Sequence, residues 1–131
     1  MKAILYIILT FNLLASNTTQ AQKAKPQVTN LDAAAFNTAF KKTPGTLLDV
    51  RTPEEIVHGK IPGALNMDFY EEDFKKQLKK VDKTKPVYLY CASGGRSADA
   101  GEMLIEMGYT QVYNLEGGFR AWKAAGLPVV K

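Results

Sequence analysis

Apolar and polar positions fall into blocks of two kinds along this chain. Thr46-Leu47-Leu48-Asp49-Val50 and Val87-Tyr88-Leu89-Tyr90 are short, nearly unbroken apolar runs, the pattern of strands buried on both faces of a parallel sheet. Val112-Tyr113 begins another strand, and Ala64-Leu65-Asn66 is a candidate short one after the Ile61-Pro62-Gly63 turn. The blocks between them have helical spacing. Asn30 is placed to cap a helix whose apolar positions Leu31, Ala34, Ala35 and Phe40 recur until Pro44-Gly45 stops it. Thr52 can cap, Pro53 suits the first helical position and Glu55 stands three residues past the cap, a capping box for a short helix ending near Gly59. Phe74 and Leu78 mark the buried face of a charged helix. Ser97 to Met107 reads as a helix with Ala98, Ala100, Met103, Leu104 and Met107 available for packing, ended by Gly108. Gly117-Gly118 leads to a last helix holding Trp122, most simply a core residue.

Strands alternating with helices predict an α/β protein: a single doubly wound domain, with a parallel sheet of about five short strands and helices on both faces. A length of 131 residues leaves room for one domain. With 46% hydrophobic and 23% charged residues, neither wholesale disorder nor a multi-span membrane protein fits.

The N-terminus is set apart from that fold. Lys2 is a short positive region, Ala3 to Leu14 is apolar except for Thr10 and Asn12, and Thr19-Gln20-Ala21 offers the small residues a signal peptidase reads. Residues 1–21 are therefore expected to be a cleaved signal peptide, 22–27 a flexible lead-in and 28–131 the folded domain, in a protein exported to the periplasm or secreted. The apolar stretch is too short to span a bilayer comfortably, so no stable membrane insertion is expected after cleavage. The bland alternative keeps the stretch as a core helix or an uncleaved anchor.

The formal net charge of +4 is mildly basic. Lys75, Lys76, Lys79, Lys80, Lys83 and Lys85 follow Glu71, Glu72 and Asp73, acid before base, as a solvated helix complements its own dipole. The charges lack interleaved aromatics, and no nucleic-acid partner is expected.

Cys91 is the single cysteine. It cannot close an internal disulfide, build a multi-cysteine zinc site or run a two-cysteine redox cycle; no metal or cofactor is expected. It stands after the Val87–Tyr90 strand and before a helix, the place where open parallel sheets build sites and helix N–H groups stand unpaired. Gly94 and Gly95 permit backbone conformations closed to other residues, so that successive N–H groups can converge as an anion-binding nest on the Cys91 sulfur or an atom bonded to it. A helix N-terminus and Arg96 lower a thiol pKa, and the Arg96 fork suits an oxyanion of sulfur or phosphorus. The bland reading is a small buried hydrophobe, but an exported thiol is a liability unless used.

Other polar residues read as structural. His58, the only histidine, lies far along the chain from Cys91. Asp49, Arg51, Glu54 and Glu55 could form an acid–base site, but an ion-pair cluster holding the turn after a strand accounts for them more simply.

Four motifs in order, Leu47 to Glu55, Gly59-Lys60-Ile61-Pro62-Gly63-Ala64-Leu65-Asn66, Cys91 to Ser97, and Gly117-Gly118-Phe119-Arg120-Ala121-Trp122 with Gly126-Leu127-Pro128, resemble a single-domain rhodanese. The resemblance implies a sulfurtransferase. Cys91 would accept a sulfane sulfur from a small anionic donor such as thiosulfate and pass it from a persulfide to cyanide or a thiol, including a protein thiol. The backbone from Ala92 to Arg96 would cradle the persulfide, and Arg96 would bind the donor. Lys60 departs from the family, which usually has histidine there. Two rivals stay open. Phosphatases or arsenate reductases of the same fold resemble this chain, but the phosphatases place five residues between cysteine and arginine, where this chain has the four from Ala92 to Gly95. Non-catalytic binding modules of the family typically lack the cysteine.

Overall fold

The structure, a computed structural model, describes residues 24–131. The expected signal peptide lies outside the described residues, and residues 24–27 of the lead-in are exposed and in no regular element. Five strands, β1 (Thr29–Leu31), β2 (Thr46–Asp49), β3 (Leu65–Asn66), β4 (Val87–Tyr90) and β5 (Val112–Leu115), form one sheet in the order β1-β5-β4-β2-β3. Every pairing is parallel. Five helices, α1 (Ala33–Lys42), α2 (Pro53–Ile56), α3 (Phe74–Leu78), α4 (Gly95–Glu106) and α5 (Gly118–Ala124), join them.

Strand residues point alternately to two cores, because successive side chains of a strand leave opposite faces. Leu48, Val87, Leu89 and Val112 meet Phe74 and Leu78 of α3 and Ala100 and Leu104 of α4. Leu47, Tyr88, Tyr90 and Leu115 meet Phe36 of α1 and Phe119 and Trp122 of α5. Both faces of β4 are covered, and all four of its residues are buried, which is why its sequence reads as a continuous apolar run. On the second face Phe36 stands edge-on to Tyr88 and to Trp122. The Trp122 indole N–H donates to the Pro128 carbonyl at 2.8 Å. This is the doubly wound α/β fold the pattern predicts.

Local boundaries depart from the sequence expectations for identifiable reasons. Asn30 caps no helix: it lies in β1, and Asp32 caps α1 by accepting the Ala35 N–H at 2.8 Å. The mostly polar Thr29-Asn30-Leu31 becomes a strand because β5 offers it an edge. β3 excludes Ala64 and is only two residues long. The charged helix shrinks to five residues, with no side-chain cap from Asp73, so Lys79 to Lys85 lie beyond it. α4 starts at Gly95 rather than Ser97. The capping box at Thr52 and Glu55 is formed as the spacing predicts.

Candidate active site

Cys91 follows the last residue of β4, at the carboxyl end of the central strand. Its sulfur accepts the Gly94 N–H at 3.1 Å and the Ser97 hydroxyl at 3.4 Å. Burial raises the thiol pKa, but bonds from the Ser97 side chain and from the Ser97, Ser93 and Gly94 backbones outweigh it and hold the pKa below its ordinary value. The sulfur is thus buried and yet inclined toward its thiolate form.

The loop geometry rests on glycine and on three donors behind it. Gly94 has φ +106°, a conformation that side chains disfavour. Its carbonyl accepts from the Ala98 N–H at 3.1 Å, from the Ser97 hydroxyl at 3.2 Å and from the Asn114 amide at 3.4 Å. In a trans peptide the N–H points opposite the carbonyl, so pulling the Gly94 carbonyl inward turns the Gly95 N–H outward. Asn114, on β5, also donates to the Asn30 side chain at 3.0 Å, and its own buried Oδ1 has no partner. Sequence reading missed Asn114; a polar residue inside the otherwise apolar Val112–Leu115 run was the available signal.

α5 clamps the same loop from its other end. The Phe119 and Arg120 N–H groups donate to the Cys91 and Ala92 carbonyls at 2.8 and 3.2 Å. Gly118 makes this approach possible: a Cβ there would stand 2.6 Å from backbone atoms of Cys91 and Ala92. The Gly117-Gly118 pair thus serves the Cys91 loop as well as the start of the helix.

Arg96 is not an open fork. Its two terminal nitrogens reach the two carboxylate oxygens of Glu55, each at 2.8 Å, and its guanidinium lies 5.5 Å from the Tyr70 ring centre. The Arg96 hydrogen bonds hold the Glu55 carboxyl down at about 2. The supposed cluster of Asp49, Arg51, Glu54 and Glu55 therefore divides. Asp49 and Arg51 form a buried bidentate pair, closest at 2.7 Å, with Arg51 also donating to the Gly59 carbonyl and lying 4.2 Å from the Phe119 ring centre. Glu54 is exposed, and Glu55 belongs to the cysteine loop. Neither carboxylate is arranged as a general base for Cys91.

Ala92, Ser93 and Gly95 lie in the loop or at the start of α4 with Gly94, as expected from their positions. A cavity of about 220 Å³ lies beside the loop, with Ala92, Glu55, His58 and Phe119 in its wall. His58, distant from Cys91 in sequence, is thus close to the loop in space without bonding the sulfur. Lys60 donates to the Ala64 carbonyl at 3.3 Å and pairs by its backbone with Val130, away from the loop. Among the described residues no cluster of histidine, cysteine and acidic side chains could hold a metal ion, and no helix is long and apolar enough to cross a membrane.

Comparison with known proteins agrees with this architecture. The model of the rhodanese-like domain family matches residues 16–125. A protein of Allochromatium vinosum named sulfurtransferase is 38% identical over 104 residues, which are 79% of this chain and 95% of that one. The thiosulfate sulfurtransferase GlpE of Coxiella burnetii is 34% identical over 98 residues, 75% of this chain and 87% of that one. The crystal structure of a rhodanese-related protein from Thermoplasma volcanium matches with a TM-score of 0.69 and 33% identity, over 78% of this chain and 97% of that one. A Rhodopseudomonas palustris protein of unknown function, described as a possible tyrosine phosphatase, matches with a TM-score of 0.64 and 30% identity, over 79% and 85%. The chain belongs to the rhodanese-like domain family.

Proposed function

We propose that this protein is a sulfurtransferase working through a Cys91 persulfide. The observation that carries the reading is the buried Cys91 sulfur at the end of β4, held by the Gly94 N–H and the Ser97 hydroxyl. The Cys91 thiolate attacks the outer sulfur of a donor such as thiosulfate. A Cys91 S–S bond forms, the donor's own S–S bond breaks, and sulfite leaves with the electron pair. Cyanide or a thiolate then takes the outer sulfur, and the electron pair of the second broken S–S bond returns to Cys91. The N–H groups between Ala92 and Arg96 cradle the persulfide. Arg96 spends two of its five N–H donors on Glu55 and attracts the donor with its charge and the rest.

The phosphatase reading suits this loop less well. Four residues separate Cys91 from Arg96, and the guanidinium is turned to a carboxylate instead of closing a ring around the sulfur. The test is the intact mass of the purified protein after thiosulfate, where a gain of one sulfur atom, lost in Cys91→Ser, is expected. Efficient hydrolysis of an aryl phosphate with no gain of sulfur would reverse the assignment.

Export is the second part of the reading. It rests on Lys2, the apolar Ala3–Leu14 stretch and Thr19-Gln20-Ala21. N-terminal sequencing of protein from an envelope or secreted fraction should begin at Gln22; Met1 on a cytosolic protein would refute it.

A further inference from the structure

A second cavity, of about 190 Å³, lies on the face of the sheet covered by α1 and α5, and no residue of the Cys91 loop lines it. Its wall runs from buried apolar residues to an exposed charge. Ile61 and Trp122 are buried, and Phe40 and Pro62 are half-buried. The Trp122 indole N–H is already given to the Pro128 carbonyl at 2.8 Å and the Ile61 N–H to the Tyr90 hydroxyl at 3.1 Å, while Pro62 and Pro128 have no N–H. The inner wall therefore offers ring faces and methyl groups but no free donor, and a polar group placed there would lose its water without a partner. The mouth is different. Asn37 and Lys41, four positions apart on one face of α1, bring an amide and an ammonium to the same cavity. Lys41 is exposed and has no ion-pair partner among the described residues, and no carboxylate lines the cavity.

Size and charge together select the occupant. An apolar cavity of ~150 Å³ is enough for benzene, so about 190 Å³ holds one aromatic ring with a short substituent. The flat faces of Phe40, Trp122 and the two prolines suit a rigid ring, and the unmatched Lys41 calls for a negative charge at the mouth. We propose that this cavity binds a small monocyclic aromatic carboxylate, with its ring inward against Trp122 and Ile61 and its carboxylate outward at Lys41 and Asn37. The site is separate from the sulfur chemistry and does not depend on it.

The test titrates the purified protein with phenylacetate and with phenylacetamide, its neutral counterpart of the same shape, by calorimetry and by tryptophan fluorescence. Trp122 is the only tryptophan of the chain, so its emission reports on this wall alone. Phenylacetate should bind saturably, shift the Trp122 emission along the same curve, and bind more tightly than the amide. Lys41→Gln, a substitution at an exposed position, should weaken phenylacetate about three- to fivefold, the scale of a contact made by an exposed charge, and leave phenylacetamide within about twofold. Cys91→Ser should bind phenylacetate as the wild type does, which separates this site from the sulfurtransferase reading. No saturable binding, or saturable heat with an unchanged Trp122 emission, overturns the proposal. Equal affinity for acid and amide, or an affinity indifferent to Lys41→Gln, removes the role of the charge and overturns it too. Loss of binding in Cys91→Ser would place the ligand at the cysteine loop and have the same consequence.

Discussion

Arg96 and Glu55, 41 positions apart in the chain, close a two-point ion pair with both contacts at 2.8 Å. The same carboxylate accepts the Thr52 N–H at 2.9 Å as part of the capping box. One side chain therefore ends a helix motif and steadies the first turn of α4, so the loop that carries Cys91 is fixed to the turn after β2.

Removing the carboxylate while keeping its shape isolates that link. The Glu55 pKa falls from 4.5 to about 2 on folding, so the pair stabilises the protein above pH 4.5 and the contribution fades as pH drops toward 2. The group is partly exposed, so solvent screening limits its worth to about 1 kcal/mol. Glu55→Gln should lower stability by about that amount at pH 7, with wild type and variant converging as pH falls below 4.5, measured by denaturant titration. Freed from its competitor, the Arg96 fork should also lower the KM for thiosulfate severalfold; an increased KM would mean that Arg96 acts only when held.

Ser97 is the second handle on the Cys91 sulfur. Its hydroxyl bonds both the Cys91 sulfur and the Gly94 carbonyl, and its side chain is the largest of the influences that lower the thiol pKa. Ser97→Ala should therefore raise that pKa, because the thiolate loses a donor while burial, which favours the neutral thiol, remains. The rate of iodoacetamide alkylation against pH reads this directly. The wild-type inflection should lie below that of a free cysteine, and the variant's should lie above the wild type's.

Local rules made much of this legible. β2 and β4 announce themselves because both faces of each are covered, the Thr52 capping box is fully local, and Cys91 falls between a strand and a helix in the sequence itself. The missing parts depend on which distant elements meet. Four neighbouring charges at Asp49, Arg51, Glu54 and Glu55 suggested one cluster, and only the fold brings Glu55 to Arg96 and leaves Asp49 with Arg51. β1 is a strand by virtue of its neighbour β5, against a composition that favours a cap. Asn114 stands out only as a polar residue in an apolar run, and its meaning comes from its contact with the Gly94 carbonyl.

Asn114 should matter more to activity than to stability. Asn114→Ala removes its bonds to the Asn30 side chain and, more weakly, to the Gly94 carbonyl, but also an unpartnered buried Oδ1, so the net stability cost should be only about 1 kcal/mol. The Gly94 carbonyl loses one of its three donors, keeping the Ala98 N–H and the Ser97 hydroxyl, so the Gly95 N–H is held less firmly. Single-turnover transfer of sulfur from thiosulfate to Cys91 should slow about tenfold, roughly 1.4 kcal/mol of barrier, with an unchanged circular dichroism spectrum. Loss of fold with an unaltered rate per folded molecule would make Asn114 purely structural.

Two glycines near the C-terminus separate backbone strain from a clash at the loop. Gly118 and Gly126 both have positive φ, +62° and +71°, so alanine at either is strained by about 1–3 kcal/mol. Nothing lies within 4 Å of a Cβ at Gly126, whereas one at Gly118 would meet the Ala92 carbonyl carbon and oxygen and the Cys91 carbonyl oxygen at 2.6 Å. Backbone cannot swing aside as a flexible side chain can, so α5 must retreat and release the Phe119 N–H from Cys91, or the loop itself must move. Gly126→Ala should lower the melting temperature and leave the rate of sulfur uptake per folded molecule within twofold. Gly118→Ala should lower the melting temperature further and abolish most of the uptake, as followed by intact mass after thiosulfate. Equal activity in the two variants would show that the α5 clamp does not set the geometry of the Cys91 loop.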